Sequence, residues 1–282
     1  MRVDGKGIVD KSVPVSFTFD GTTYRGFAGD TLASALLAND IRLVARSFKY
    51  HRPRGILTAG SEEPNALVTI GQGAATDPNV RATVQELYEG LSARSQNAWP
   101  SLAFDVMAVN DLAAPFLGAG FYYKTFMWPR AFWEKLYEPV IRRAAGLGGL
   151  SGEADADHYE KAYAFCDLLV VGAGPAGLMA ALVAARSGAD VIIADEDSIM
   201  GGRLNAETGQ VNGQDGHLWA AEMVEALRAM GNVRLMTRTT VTGAYDGGTF
   251  GALERVSHHV KAVPKGGVKE TFWRIVARRS VL

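Results

Sequence analysis

The sequence predicts a chain of two domains, an α+β domain followed by an α/β domain. Residues 12–19 alternate apolar and polar side chains and pass through Asp20-Gly21 into a second extended run, which is typical of a β-hairpin. An apolar run at residues 166–171, interrupted only by Asp167, leads instead into G-x-G-x-x-G and a stretch of small helix-forming residues. We expect a first domain at residues 10–96, an aromatic-rich connector and linker at residues 97–164, and a second domain at residues 165–282.

The first domain is predicted to be a β-grasp-like module. Its hairpin returns over residues 22–27, and Asp30 is placed to cap a short helix at residues 31–38. A later strand is predicted at residues 66–70. A further helix is expected to start at residues 77–79 and to carry Val84, Leu87, Tyr88 and Leu91.

A basic segment, RSFKYHRPRG, occupies residues 46–55, between the short helix at residues 31–38 and the strand at residues 66–70. Its cationic side chains are suited to an anion or an acidic partner surface, whereas a solvated loop is the commoner outcome and the one we favour. His51 has no acidic or thiol ligand spaced nearby, so we expect no metal there.

The connector is dense in aromatic residues and has little periodicity. Such density indicates burial against something large, either a seam between the domains of this chain or a subunit contact or ligand cavity wall. We leave these alternatives open. Residues 146–157 are rich in glycine, alanine and acidic residues and are predicted to form a linker. The aromatic residues are Phe116, Phe121, Tyr122, Tyr123, Phe126, Trp128, Phe132, Trp133 and Tyr137.

The glycine-rich turn of the second domain predicts a dinucleotide site of Rossmann type. Gly172 permits a sharp turn off the strand, Gly174 lets the backbone approach a pyrophosphate, and Gly177 lets the following helix lie close to the sheet. A second apolar strand at residues 191–194 ends at Asp195, where a carboxylate accepts hydrogen bonds from ribose hydroxyls. The alternative is an ordinary glycine-rich βα turn, and the strand, helix and acidic residue together favour the dinucleotide site.

The rest of the second domain continues this pattern. An amphipathic helix is predicted at residues 217–230 and a strand at residues 233–236, followed by meander strands at residues 253–260 and 271–276. His258 and His259 are neighbours on a predicted strand and would face opposite sides, so they are not expected to share a metal ion.

Composition excludes several classes of function. The formal net charge of −1 and a pI near 6.5 give no reason to expect nucleic acid or an anionic membrane as a partner. The one cysteine, Cys166, excludes an internal disulfide and any all-cysteine metal or cluster site, and it is expected to be a small buried hydrophobe. The N-terminus does not have the pattern of a signal peptide, and no apolar run reaches membrane-spanning length, so we expect a cytoplasmic protein.

Several segments together carry a resemblance to one enzyme family. The segments are HRPRG, NVRATVQELYEGLSARSQNAWPSLAFDVMAVNDL, AGFYYKTFMWP, IRRAAGLG, CDLLVVGAGPAGL and IIADEDSIMGGRL. In these the chain resembles the alpha subunit of heterotetrameric sarcosine oxidase from about residue 10 to residue 282. The resemblance implies a ferredoxin-like β-grasp module, here cysteine-free and so without a cluster. It also implies an incomplete Rossmann-type domain of the pyridine nucleotide-disulfide oxidoreductase type.

The resemblance further implies that the second domain binds NAD. The implied contacts are grouped at the pyrophosphate turn, at the adenosine ribose and on the adenosine side. Arg203 departs from the small hydroxyl residue common in the family, and it would pair with a phosphate or point to solvent; plain surface charge is the alternative for Arg203 and Glu196. The residues are Gly172, Gly174, Ala176 and Gly177, then Asp195, Glu196 and Asp197, then Gly202, Arg203 and Val241.

The family reaction is the oxidative demethylation of sarcosine with oxygen to glycine and hydrogen peroxide, with transfer of the one-carbon unit to tetrahydrofolate. The resemblance implies beta, gamma and delta subunits as partners, with FAD, FMN and tetrahydrofolate in the complete complex. Amine oxidation there belongs to the beta subunit, so no catalytic residue and no metal ligand is assigned in this chain. The alternatives are a subunit of a related proline, opine or cyanide-forming dehydrogenase, and a non-catalytic nucleotide-binding scaffold.

Family members continue beyond the point that corresponds to Leu282. We therefore expect an N-terminal fragment, truncated in its nucleotide domain. An edge of the sheet would then be left unpaired, with backbone donors and acceptors of a core strand without partners. Expressed alone, such a fragment is expected to be insoluble or to associate nonspecifically.

Overall fold

The computed structural model describes residues 2, 7–115, 117–120, 126–144, 146–261, 263 and 266–282. The described residues of Val13–Ala156 form one compact unit. Those of Asp157–Leu282 form a second, which also includes described residues of Arg2–Ser12. The division therefore falls just before the strand that leads into the glycine-rich turn.

The first unit is built on a five-stranded mixed sheet in the order β2-β1-β7-β5-β6. The first strand runs parallel to β7, and β5 runs antiparallel to both β7 and β6. Its helices and strands are β1 (Asp10–Phe19), β2 (Thr22–Ala28), α1 (Leu32–Ala38), β3 (Ala45–Arg46), β4 (Pro53–Arg54), β5 (Leu67–Ile70), β6 (Asp77–Arg81), β7 (Leu91–Ser95) and α2 (Glu138–Ala144). The predicted hairpin, helix and strand at residues 66–70 are confirmed.

Helix α1 starts at Leu32, one residue later than predicted. Thr31 is the N-cap, and it exchanges hydrogen bonds with Ser34 in a capping box. Asp30 is buried and accepts from the Ser34 hydroxyl at 2.6 Å and from the Phe27 amide at 2.9 Å. The prediction of Asp30 as the cap was therefore wrong, because its carboxylate holds the preceding turn to the helix instead.

The helix predicted from residues 77–79 is absent from this described part of the chain. Residues Asp77–Arg81 form the edge strand β6, which pairs with β5. Pro78 is tolerated there because an edge strand has one side without ladder partners. Of the apolar residues predicted for that helix, Leu87 is 8% exposed in an irregular segment, and Leu91 is the first residue of β7.

The basic segment contacts the connector through the side chains of Arg46, His51 and Arg52, a set of contacts that we call the clamp. His51 is 4% exposed, and its Nδ1 lies 2.6 Å from Oδ2 of Asp105. Arg46 donates to the carbonyl of Leu102, and Arg52 Nε donates to Asp111 at 2.8 Å. The favoured prediction of a solvated loop was therefore wrong for Arg46 and His51, which contact the connector, whereas residues 52–54 are exposed.

None of the described aromatic residues predicted for the connector is buried in this chain: two are exposed, and Phe126, Trp133 and Tyr137 are half-buried. Trp128 is 83% exposed and Phe132 is 47% exposed. Tyr137 contacts two neighbours of its own segment, with ring centroids 5.3 Å from Phe126 and 6.3 Å from Phe132. Phe116 and residues 121–123, also named in the prediction, lie outside the described residues.

The second unit contains a six-stranded sheet in the order β12-β9-β8-β15-β14-β13. The four strands from β12 to β15 in this order are parallel, and β14 and β13 continue antiparallel. The elements are β8 (His158–Val171), α3 (Pro175–Arg186), β9 (Val191–Ala194), β10 (Gln210–Val211), β11 (Gln214–Asp215), α4 (Gly216–Arg228), β12 (Val233–Met236), β13 (Thr239–Tyr245), β14 (Thr249–Arg255) and β15 (Val268–Val281).

Pairing in this sheet corrects the expectation of an unpartnered core strand. Strand β8 has β9 on one side and β15 on the other, and β15 is itself paired on both sides. Among the described strands of this sheet, the edges are β12 and β13. The predicted strand at residues 253–260 was also too long, since β14 ends at Arg255 and the two histidines lie in the turn beyond it.

Two apolar clusters lie on the two faces of this sheet, because successive residues of a strand point to opposite sides. Val170 and Ile193 pack with helices α3 and α4, while Leu169 and Ile192 pack on the other face with Ile275. Cys166 belongs to the second cluster, as predicted from its place in a core strand. Burial raises the pKa of its thiol to about 11, so the thiolate is disfavoured at neutral pH.

Candidate functional site

The glycine-rich turn joins the end of β8 to the first turn of α3. Gly172 has a φ of 97°, a conformation that side chains with a Cβ rarely adopt, and its amide donates to the carbonyl of Ala194 at 2.8 Å. Gly174 is the N-cap of α3, and Pro175 occupies the first helical position, where it removes no hydrogen bond. No side chain caps this helix, so its first amides face the space in front of the turn.

The glycines at 174 and 177 serve different purposes. A Cβ placed on Gly177 would lie 1.9 Å from the carbonyl oxygen of Gly172, so the helix and the turn touch there. A Cβ placed on Gly174 would have no heavy atom within 4 Å. Gly177 is thus required by the fold, whereas the fold alone gives no steric reason for glycine at position 174.

A second loop lies against this open turn. Gly201 donates its amide to the carbonyl of Ala173 at 2.9 Å, and a Cβ on Gly202 would lie 3.1 Å from the Cα of Gly174. The buried side chains of Met200 and Leu204 anchor the loop in the helix-side cluster. The structure therefore brings Gly202 to the glycine-rich turn, as the predicted set requires.

Asp195 lies at the end of β9 and is 9% exposed. Its Oδ2 accepts from the Ala173 amide at 2.5 Å, and its Oδ1 accepts from the Asp197 amide at 2.8 Å. The carboxylate therefore braces the turn and the acidic loop in addition to any contact with a ribose. An ionised carboxylate offers about four acceptor positions, so these two bonds leave room for hydroxyl donors.

The other predicted residues have fewer contacts with the glycine-rich turn and Asp195. Arg203 is 90% exposed at its side chain and pairs with Glu207 at 2.8 Å, so it does not point at the turn. The carbonyl of Glu196 accepts from Arg255, and the carbonyl of Asp197 accepts from the Arg238 amide at 2.9 Å. Ala176 is exposed on the first turn of α3.

Val241 lies on β13. The first residue of that strand, Thr239, donates its amide to the carbonyl of Asp195 at 2.7 Å. The side chain of Val241 packs on the second apolar cluster, on the sheet face opposite the helices. Val241 is thus connected to the acidic loop through the backbone of its strand rather than through its side chain.

Sequence reasoning missed two supporting residues. Ala173 supplies the amide that Asp195 binds and the carbonyl that Gly201 binds. Arg238 has a φ of 54° and joins the acidic loop to β14 through its own amide and carbonyl. Backbone contacts of this kind leave no signature in side-chain type, so no motif could have indicated them.

Other possible sites in the described chain lack the chemistry of this one. A cavity on the meander, lined by Tyr245, Phe272 and Arg274 among others, shares no lining residue with the glycine-rich turn. Over the described ranges, no three histidine, cysteine or acidic side chains come together as ligands for a metal ion. None of the described helices has the length and apolar character needed to cross a membrane.

Two family descriptions match the two units. Residues 12–98 match a family described as a 2Fe-2S iron-sulfur cluster binding domain. Residues 167–271 match one described as FAD dependent oxidoreductase. The second match covers the glycine-rich turn and the acidic loop.

Curated relatives match the chain over nearly its whole length. Sarcosine oxidase subunit alpha of Rhizobium meliloti (strain 1021) is 62% identical over 281 residues, which are 100% of this chain and 28% of that protein. The same subunit from Corynebacterium sp. (strain U-96) is 34% identical over 97% of this chain and 24% of that protein. The chain thus spans about a quarter of the length of these relatives.

A solved structure shares the fold. The crystal structure of L-proline dehydrogenase from P. horikoshii matches 99% of this chain and 42% of its own, with a TM-score of 0.56 and 18% sequence identity. At this identity the likeness concerns the fold alone.

Proposed function

We propose that this chain, a homologue of sarcosine oxidase alpha subunits, supplies the dinucleotide-binding part of an oxidoreductase subunit. The observation that carries the proposal is the open space in front of Gly174, which faces the uncapped start of α3 and is bordered by Gly202. The parallel order β12-β9-β8, with α3 and α4 packed on one face, supports a Rossmann-type domain.

The residues present fit a dinucleotide. Amides of Ala176 and Gly177 at the start of α3 would bind a pyrophosphate, since helix N-termini attract anions. The free acceptor positions of Asp195 would bind ribose hydroxyls, and Glu196 and Asp197 follow it in the same loop. Arg203 would reach a phosphate only by leaving its surface pair with Glu207, which costs little because such exposed pairs are weak.

The nucleotide that we propose is NAD, as the family resemblance implies. FAD is the second candidate, because the family description that matches residues 167–271 is FAD dependent. Either group would contribute a redox-active ring when bound. The residues of this chain would bind and orient the adenosine half of the nucleotide, and no residue of this chain is assigned a catalytic role.

For the whole protein we propose the reaction of the sarcosine oxidase family: sarcosine is oxidised with oxygen to glycine and hydrogen peroxide, and the one-carbon unit passes to tetrahydrofolate. The partners would be the beta, gamma and delta subunits of a cytoplasmic heterotetramer, with FAD and FMN elsewhere in the complex. Exposed aromatic side chains such as Trp128 fit a subunit contact. A subunit of a related proline, opine or cyanide-forming dehydrogenase, or a non-catalytic scaffold, is the alternative.

Calorimetric titration of the chain with NAD, NADP and FAD tests the nucleotide proposal. We expect NAD to bind at least about tenfold more tightly than NADP, because carboxylates at the end of β9 accept from a 2′-hydroxyl and repel a 2′-phosphate. Tighter binding of FAD than of NAD would replace NAD with the second candidate. Equal or tighter binding of NADP would contradict the role of Asp195, and Arg203→Ala would then show whether Arg203 holds the extra phosphate.

A further inference from the structure

Glu63 is a buried carboxylate in the first unit, in the loop between β4 and β5. Its residue exposure is 1%, although its neighbour Glu62 is exposed. An ionised side chain is rarely buried unless hydrogen bonds replace its hydration. The surroundings of Glu63 therefore show what the loop is built to hold.

Backbone amides surround both oxygens of this carboxylate. Oε2 accepts from Leu57 and Thr58, each at 2.7 Å. Oε1 accepts from Asn65 at 2.7 Å and from Ala66 at 3.3 Å. Burial tends to raise the pKa of Glu63, but these bonds outweigh it and hold the pKa below its ordinary value. The loop is thus wrapped around a negative charge.

The loop lies in the range that matches a cluster-binding domain, and three of its positions can be set at the ligand spacing of such a domain. In plant-type ferredoxins three of the ligands follow the pattern C-x₄-C-x₂-C. Thr58, Glu63 and Ala66 have this spacing, and they lie within the region that matches a 2Fe-2S cluster binding domain. No cysteine precedes Cys166, and alanine has no ligand atom, so the residues present do not fit a cluster.

We propose that the carboxylate of Glu63 replaces an iron–sulfur cluster as the anion around which this loop folds. Amides that would point at cluster sulfurs point at carboxylate oxygens instead. The side chain that carries the charge occupies the middle position of the three ligand positions. The first unit then keeps the architecture of an electron-transfer domain without a redox centre, and no electron passes through it.

The proposal has a direct chemical consequence. Truncating Glu63 would leave an empty anion site that a small carboxylate such as formate can fill. We therefore compare the 282-residue chain with Glu63→Ala and with the matched control Glu62→Ala, which removes the exposed neighbouring carboxylate. Hydrogen exchange is followed by mass spectrometry in peptides that cover Leu57, Thr58, Asn65 and Ala66.

We expect these amides to exchange at least about tenfold faster in Glu63→Ala than in Glu62→Ala, because each has lost a charged acceptor. Formate should restore protection in a saturable way, and chloride at equal ionic strength should not. Exchange in peptides of α3 and β9 should stay unchanged in both variants. Hydrogen exchange in this loop does not depend on nucleotide binding, so a failure of this proposal can be told apart from a failure of the proposed function.

A second variant covers the case in which Glu63→Ala does not fold. Glu63→Gln keeps the size of the side chain and one carbonyl acceptor, but it turns an NH2 group toward the two backbone amides that faced the other oxygen. We expect those two amides to lose protection. Unchanged protection in Glu63→Gln, or equal exchange in Glu63→Ala and Glu62→Ala, would overturn the proposal. So would rescue by chloride equal to that by formate, because a specific carboxylate site would then be lacking.

Discussion

Gly174 and Gly177 lie three positions apart in one turn, yet their substitution should have opposite effects. Gly174→Ala adds a methyl group where no atom lies within 4 Å, so the free energy of unfolding should change by less than about 0.5 kcal/mol. The methyl group occupies the space proposed for the pyrophosphate, so nucleotide affinity should fall at least about tenfold.

Calorimetry and chemical denaturation measure these two quantities on the same variant. Gly209→Ala is the matched control, because a Cβ there also meets nothing within 4 Å but lies outside the turn. Undiminished affinity in Gly174→Ala would show that the space in front of the turn is not the nucleotide site.

Gly177→Ala should destabilise the second unit without a ligand being involved. The added methyl group would overlap the carbonyl of Gly172, and overpacking of this kind costs about 1–3 kcal/mol. Thermal and denaturant unfolding should show the loss, while Gly231→Ala, where a Cβ meets nothing within 4 Å, should not. A Gly177→Ala chain as stable as the control would mean that the helix shifts away from the turn at little cost.

For single residues, the glycine-rich motif predicted where the side chains and glycines lie better than it predicted what each of them contacts. Gly172, Gly174, Gly177 and Gly202 lie together as expected, since glycine placement reflects local backbone geometry. The bracing of the Ala173 amide by Asp195 was not predictable, because a ribose contact and a backbone contact demand the same residue type.

At the scale of elements, the basic segment and the connector form one structure, and breaking one contact should release part of the other. Asp105→Ala removes the partner of His51 and the acceptor for the amides of Trp99 and Met107. We expect cleavage within residues Val106–Asp111 by a nonspecific protease to accelerate at least about tenfold, since an unsatisfied buried group costs about 1–3 kcal/mol.

Arg42→Ala is the control for this experiment, because Arg42 forms only a highly exposed pair with Asp40 among the contacts described. The same digestion followed over time compares the two variants. Equal cleavage rates would mean that the clamp is not what holds the connector in place.

The two features that the sequence analysis failed to predict, strand β6 and the clamp, both depend on contacts between distant parts of the chain. Strand β6 is set by its pairing with β5, and tertiary pairing overrides the helical spacing of the apolar residues that follow it. The clamp depends on contacts between residues more than fifty positions apart, such as Arg46 and Leu102. Local patterns in a sequence carry no information on such distant partners.

At the scale of the whole chain, the first unit should hold no iron–sulfur cluster, because no cysteine precedes Cys166. Iron and acid-labile sulfide, measured after purification without oxygen and again after incubation with iron and sulfide, should stay below about 0.1 per chain, since a cluster needs several thiolates. A plant-type ferredoxin treated in parallel controls for the reconstitution. Stoichiometric iron and sulfide with a visible charge-transfer spectrum would contradict both this expectation and the replacement role of Glu63.

The domain order could be predicted because each unit has its own local signal, a hairpin in one and a glycine-rich turn in the other. The predicted gap beside a core strand was wrong, since β15 serves as both a meander strand and the parallel neighbour of β8. A 14-residue strand with two different kinds of neighbour has no distinctive pattern in sequence.

That shared strand also sets the order in which the second unit can fold. Its partners on β8 lie more than a hundred residues earlier in the chain, as with Tyr163 and Arg274. Closing so long a loop is slow. During synthesis β8 therefore has no strand paired on one side until β15 has emerged, and its apolar run stays exposed there. A nascent chain arrested before β15 emerges would therefore be the species most in need of a chaperone.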